Sequence, residues 1–168
     1  MSKFEAKIFY FIAMKNKPVK FVIHDSVEAL DEIDKKYLQQ TMQYLNHAYA
    51  PYSNFLVAAG VLLSNEEFIL GTNQENIAYP SGLCAERVAL FFSNSKFPDA
   101  SIKAMYLASS KIDCQSNDYF SPCGSCRQVM IEFIHLHKSD FPLYILQYNQ
   151  TVMEIPHASD LLPFSFSF

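Results

Sequence analysis

Residues 81–90 read SGLCAERVAL: a cysteine, a glutamate two positions later, an arginine, and then an apolar run. The spacing predicts a helix from Cys84 to about Ser95, so the thiol, the acid and the base all fall where that helix begins. A plain amphipathic helix needs none of them. A second stretch, residues 121–130, reads SPCGSCRQVM and again opens a predicted helix, running to about His137, with cysteine at its start. Cys123 and Cys126 are about one helical turn apart, so both sulfurs can face one point. The positive end of a helix and its free N–H groups stabilise thiolates there.

Three thiolates from Cys84, Cys123 and Cys126 can grip one zinc ion and leave a fourth tetrahedral position open, as catalytic sites do. Glu86, beside Cys84 in the first turn, is then placed to carry protons. Three thiolates on a divalent cation leave a net negative site, and Arg87 or Arg127 donating to the sulfurs would offset it. Two other chemistries compete. A Cys-x-x-Cys pair taken alone suits a redox dithiol equally well, but a redox pair has no use for Cys84 and Glu86. A closed four-cysteine structural site would recruit Cys114 from the polar loop KIDCQSND. The five histidines read as surface residues.

Outward from these motifs, KFVI (20–23) reads as a short strand and residues 25–50 as a helix. Asp25 or Ser26 is its expected N-cap and Pro51 its stop. FLVAAGVLL and EEFILGTN form an expected hairpin turning at Ser64 and Asn65. KAMYLAS, PLYILQ and TVMEI supply three more strands, and strands alternating with helices imply an α/β sandwich. With 168 residues, 50% of them apolar and 18% charged, the chain is expected to form one folded domain over 1–168, with 1–23 as an N-terminal extension. The net charge of −4 and the lack of a basic run argue against a nucleic-acid partner. The apolar run 8–14 is too short to span a bilayer and no cleavage site follows it. It is read as an extra strand or a leader ahead of a start at Met14, and a cytoplasmic location without membrane attachment is expected.

Cys-x-Glu followed by Pro-Cys-x-x-Cys resembles the signature of the zinc nucleoside deaminases. With cysteine as first ligand, and with AYAPYSNFLV, GTNQENIAYPSGLCAER and LLPFSF alongside, residues 48–168 are similar to the small homotetrameric cytidine deaminases. The resemblance implies a three-layer α/β/α sandwich around a mixed sheet of about five strands, one zinc per chain, and hydrolysis of cytidine or deoxycytidine to the uridine product. It implies that Asn73 and Glu75 bind the ribose hydroxyls, Phe55 packs on the pyrimidine, the Ala85 backbone reads the amino group, and Tyr79 and Phe166 reach a neighbouring subunit's site. Two departures stand out: Ala58 replaces a family glycine, and the hairpin turn lacks glycine, so Asn65 is expected to take the left-handed conformation. A blasticidin-type deaminase, a zinc-stabilised binding module and a thiol oxidoreductase are the rival functions.

Overall fold

The run VAAGVLL at 57–63 shows no polar alternation, and each of its residues is buried. A strand reads this way when both faces of its sheet are covered. The computed structural model, which describes residues 9–13, 17–110 and 119–166, has that arrangement. In chain order it contains β1 (Phe9–Ala13), β2 (Lys17–His24), α1 (Glu32–Gln43), β3 (Val57–Leu63), β4 (Phe68–Thr72), α2 (Ala85–Lys96), β5 (Ile102–Ser109), α3 (Gly124–His137), β6 (Leu143–Leu146) and β7 (Val152–Ile155). The strands form one sheet in the order β1-β2-β7-β6-β5-β3-β4. Among the described strands only β5 and β6 pair parallel, and a parallel pair needs a crossover, which α3 provides.

Side chains alternate across the sheet into two cores. Ala104, Tyr106 and Ala108 of β5 face α1, together with Leu38, Leu62 and Tyr144. Met105 and Leu107 face the other way, toward Ala89, Leu90, Met130 and Phe133 of α2 and α3. The layers are therefore α1, sheet, and α2 with α3, as the sequence implied. Leu38 and Leu90 are fully buried, and each such side chain contributes about 1.5–3 kcal/mol. Asp34 of α1 accepts a 2.6 Å hydrogen bond from the Tyr106 hydroxyl, fixing that helix to β5.

Several expectations are corrected. Among the described residues the sheet has seven strands where about five were expected, because β1 and β2 extend it beyond β7. Val22, Ile23 and His24 pair with Glu154, Met153 and Val152, and Phe21 and Ile23 pack against the core. His24 is half-buried, its ring 2.7 Å from Glu154, so it is not a plain surface residue. Helix α1 starts later than expected. Its N-cap is Asp31, whose carboxylate accepts from the N–H groups of Ile33 and Asp34, whereas Ser26 makes no side-chain cap bond. The helix also ends early, tightening into a 3-10 turn at Tyr44–His47 ahead of Pro51. In the β3–β4 turn the left-handed residue is Glu66 (φ 66°), not Asn65. Asn65 instead accepts from the Glu67 N–H, so its side chain braces the turn. Ala58 pairs regularly with Thr72 and Ala108, and the one register shift in that ladder falls at Leu62 and Leu63.

Gly71 of β4 sets how closely α2 approaches the sheet. A Cβ there would lie 2.6 Å from the Ala89 nitrogen and 3.0 Å from the Ala85 carbonyl oxygen, both backbone atoms of α2. A flexible side chain could move aside, but a helix backbone must shift as a whole. Gly71→Ala should therefore cost about 1–3 kcal/mol in urea unfolding. Gly124→Ala is the control: nothing lies within 4 Å of its Cβ position at the first residue of α3, so stability should change by no more than about 0.5 kcal/mol. Equal behaviour of the two variants would contradict this account of the β4–α2 contact.

Candidate active site

The site grows from two helix starts. Cys84 is the N-cap of α2 and Cys123 the N-cap of α3, both with extended backbone (φ −70°, ψ 153° and φ −67°, ψ 164°). Neither sulfur caps its own helix, unlike the serine or aspartate usual at this position. Both are turned toward Cys126, buried in the first turn of α3. Cys84 Sγ lies 3.8 Å from Cys123 Sγ, Cys123 Sγ lies 3.4 Å from Cys126 Sγ, and all three fall within 4.8 Å of one another. A tetrahedral zinc with sulfurs at about 2.3 Å needs those sulfurs about 3.8 Å apart. The donor set fits such an ion with small adjustments.

Charge is shared unevenly in the cluster. The Cys84 thiol is pushed down to about 5, first by the Cys126 thiol donating to it and then by Arg87 and Cys123, against the effect of burial. Cys126 is pushed up, first as that donor and then by burial. Arg87 Nη2 lies 3.8 Å from Cys84 Sγ, where the sequence placed a guanidinium. Arg127 is turned elsewhere: Nε donates to the Pro122 carbonyl (2.8 Å), Nη1 to the Leu161 carbonyl (3.1 Å) and Nη2 to the Ser121 hydroxyl (3.0 Å). Carbonyl and hydroxyl oxygens from residues 121, 122 and 161 take up the guanidinium donors. Arg127 thus clamps the segment leading into Cys123 instead of neutralising thiolates.

Glu86 is buried, 4% exposed. Burial pushes its carboxyl up to about 7, and the Cys84 charge pushes the same way. Its own backbone N–H and the nearby Cys126 thiol act in opposition. A group poised near 7 can both accept and return a proton at neutral pH.

Beside the cluster opens a cleft of about 450 Å³ whose lining includes Tyr52, Asn73, Glu75, Tyr79, Cys84 and Arg87. Gln74 and Leu83 exchange a pair of 2.9 Å backbone hydrogen bonds, fastening residues 73–75 to the segment that enters Cys84. Of the sequence-predicted residues, the structure therefore gathers Asn73, Glu75, Tyr79, Cys84 and Arg87 around one cavity. Asn73 and Glu75 are already engaged with protein. Asn73 accepts from the Val57 N–H (2.8 Å) and donates to the Phe55 carbonyl (2.9 Å). Glu75 accepts from the Ser53 hydroxyl and the Tyr52 N–H, which hold its carboxyl below the usual range. Tyr79 is exposed and meets Tyr52 edge-on. Phe55 is half-buried against Phe120, Ala85 is fully buried, and Phe166 is exposed; none of the three lines the cleft. Cys114 lies outside the described residues. Sequence reasoning missed Tyr52 and Ser53, for which the only signal is the Pro-x-x-Asn turn that brings their N–H groups to Glu75.

The sequence matches, over residues 31–138, the family described as "Cytidine and deoxycytidylate deaminase zinc-binding region". Among curated relatives, the cytidine deaminase of Halalkalibacterium halodurans is 35% identical over 130 residues, 77% of this chain and 91% of that protein. That of Sporosarcina psychrophila is 34% identical over 133 residues, 79% and 90% of the two chains. Among solved structures, cytidine deaminase from Burkholderia pseudomallei aligns with a TM-score of 0.63 at 30% identity, covering 78% of this chain and 97% of that one.

The three-sulfur cluster and the zinc-binding match together account for one zinc ion per chain. Elemental analysis of single alanine variants tests the ligand set. Cys84→Ala, Cys123→Ala and Cys126→Ala should each lose stoichiometric zinc, and Cys114→Ala should keep it. A full equivalent of zinc in Cys84→Ala would leave the Cys-x-x-Cys pair as the only ligands and defeat the assignment.

Proposed function

The chain belongs to the cytidine and deoxycytidylate deaminase family, and on that premise we infer that it hydrolyses cytidine and deoxycytidine to uridine and deoxyuridine with release of ammonia. One observation carries the reading: a buried carboxyl two residues from Cys84, raised to about 7, beside a cluster of three thiols of which Cys84 lines a cleft of about 450 Å³. No comparison favours a blasticidin-type enzyme, a binding module or a thiol oxidoreductase.

When bound, zinc supplies the Lewis acid that brings a water molecule's pKa to near 7. Cys84, Cys123 and Cys126 are the residues that would hold it. Glu86 accepts the proton that water gives up as it adds to C4 of the pyrimidine, and delivers it to ring N3. It next carries a proton to the amino group, which leaves as ammonia, so that water and cytidine become uridine and ammonia. Arg87 offsets the thiolate charge at Cys84, keeping the metal electrophilic. Asn73 and Glu75 take the ribose hydroxyls. Both side chains are fixed by backbone partners beforehand, which lowers the entropy lost on binding. The family resemblance also gives Phe55 and the Ala85 backbone to the base, although neither lines the cleft of the single chain.

We further propose a homotetramer in which Tyr79 and Phe166 complete a neighbour's site. In support, Tyr52, Ile77 and Tyr79 form an exposed apolar rim near the cleft. Among the described residues no helix is long and apolar enough to cross a membrane. A ligand set of reduced thiols suits a reducing compartment, so the proposed setting is pyrimidine salvage in the cytoplasm, within one catalytic domain that takes in the N-terminal strands.

The direct test is to incubate the purified protein with cytidine and follow loss of the cytosine chromophore, with and without a zinc chelator. Turnover that the chelator abolishes is expected, and no turnover with zinc present would sink the reading. Glu86→Gln should keep zinc while kcat falls by about 10²–10⁴-fold, since the amide matches the shape but cannot shuttle a proton. Light scattering should give four chains per particle; a fully active monomer would remove the shared site.

A further inference from the structure

We propose that Gln147 is the positioning residue for the segment that carries Cys123 to the metal cluster. It follows the last residue of β6 and is buried, 4% exposed. A buried amide costs free energy unless its polar atoms find partners, and here they do. Gln147 Oε1 accepts from the Phe120 N–H (2.9 Å), and Nε2 donates to the Phe120 carbonyl (3.1 Å) and to the Ile145 carbonyl (3.3 Å). Residues 119–123 form no helix or strand, so no ladder serves Phe120; one amide takes both of its backbone groups instead. Gln147 is itself fixed, because its own N–H donates to the Thr151 carbonyl (2.8 Å) across the turn between β6 and β7.

Phe120 lies three residues before Cys123, and the two residues between are held as well. Arg127 donates to the Ser121 hydroxyl (3.0 Å) and to the Pro122 carbonyl (2.8 Å). The three residues that lead into Cys123 are thus each tied to protein, the first from the sheet and the others from α3. Cys123 is exposed and its sulfur makes no cap bond in its own helix, so its placement depends on the backbone that leads to it. A ligand on a free approach must be ordered when the ion binds, and that cost falls on affinity. Gln147 removes it by joining the entry of the α3 crossover to β6, the strand in which the crossover ends. An apolar side chain of the same length would fill the space with no polar group to desolvate. What the amide adds is a fixed position for the chain entering α3. The inference rests on Cys123 being a ligand, as read above.

The test loads the full chain with zinc and follows transfer of the ion to an excess of a chromogenic chelator. Gln147→Met keeps the length of the side chain but removes both partners of Phe120. Release should be about tenfold faster, the lower end of what losing an outer partner costs a metal site. Amide exchange at Phe120, read by NMR, should rise with it. Gln147→Asn keeps an amide but falls one methylene short of Phe120; it should behave the same way, and it decides the matter if the methionine variant does not fold. Leu146→Ala is the control. It weakens the same strand from the opposite core, so release should stay within about twofold of wild type. Wild-type release from the Gln147 variants would overturn the proposal. Equal acceleration in Leu146→Ala would do the same, by assigning the effect to a general loss of stability. If the ligand set itself is wrong, Cys123→Ala keeps its zinc; if only Gln147 is misassigned, Cys123→Ala loses zinc while the Gln147 variants hold it as the wild type does.

Discussion

Everything in the site depends on two helices starting at the same point in space. The N-caps of α2 and α3 bring Cys84 and Cys123 to 3.8 Å, and the first turn of α3 adds Cys126. Three thiolates this close repel one another strongly. The converging positive helix ends, the Arg87 guanidinium and a divalent cation are what make the arrangement tolerable. Burial sets the acid, and the Cys84 charge adds to it, so the Glu86 carboxyl is raised above the ordinary range.

The fold supplies that convergence by two means. Gly71 lets α2 lie against β4 at backbone contact, which fixes the height of Cys84 and Glu86. The parallel pairing of β5 with β6 forces a crossover, and α3, with Cys123 at its N-cap, is that crossover. Arg127 then fastens the entry to α3 against the C-terminal segment. The cleft wall is tied in by the Gln74–Leu83 bridge, so the residues facing a nucleoside and those holding the metal share one framework.

Much of this was legible in the sequence because its signals are local. Helix starts at Cys84 and Cys123, the β3–β4 hairpin and strands β5 to β7 follow from periodicity and turn chemistry over short windows. The metal cluster was legible because thiol spacing on a helix is a geometric statement. What escaped depends on distant partners. Asp31 outcompetes Ser26 as a cap because its carboxylate reaches two N–H groups, a fact of rotamer and loop shape. Arg127 looked like a thiolate partner by adjacency, but carbonyls from residues 122 and 161 claim it. KFVI was legible as a strand, but its place beside β7 was not, since no pattern within residues 17–24 names that partner. The grip of Tyr52 and Ser53 on Glu75 spans more than twenty positions, so the Pro-x-x-Asn turn marks one end of it without naming the other.

Cys84 and Cys123 are 39 residues apart in the chain. An ion bridging them acts as a cross-link that closes a long loop, one containing β5 and the whole approach to α3. Closing a loop of that size removes chain entropy worth roughly 4 kcal/mol from the unfolded state. The metal site is therefore a fastener of the fold as well as a reaction centre, and it cannot exist until β5 is in place. During synthesis the chain must be built past residue 126 before all three thiols that would hold the metal are present.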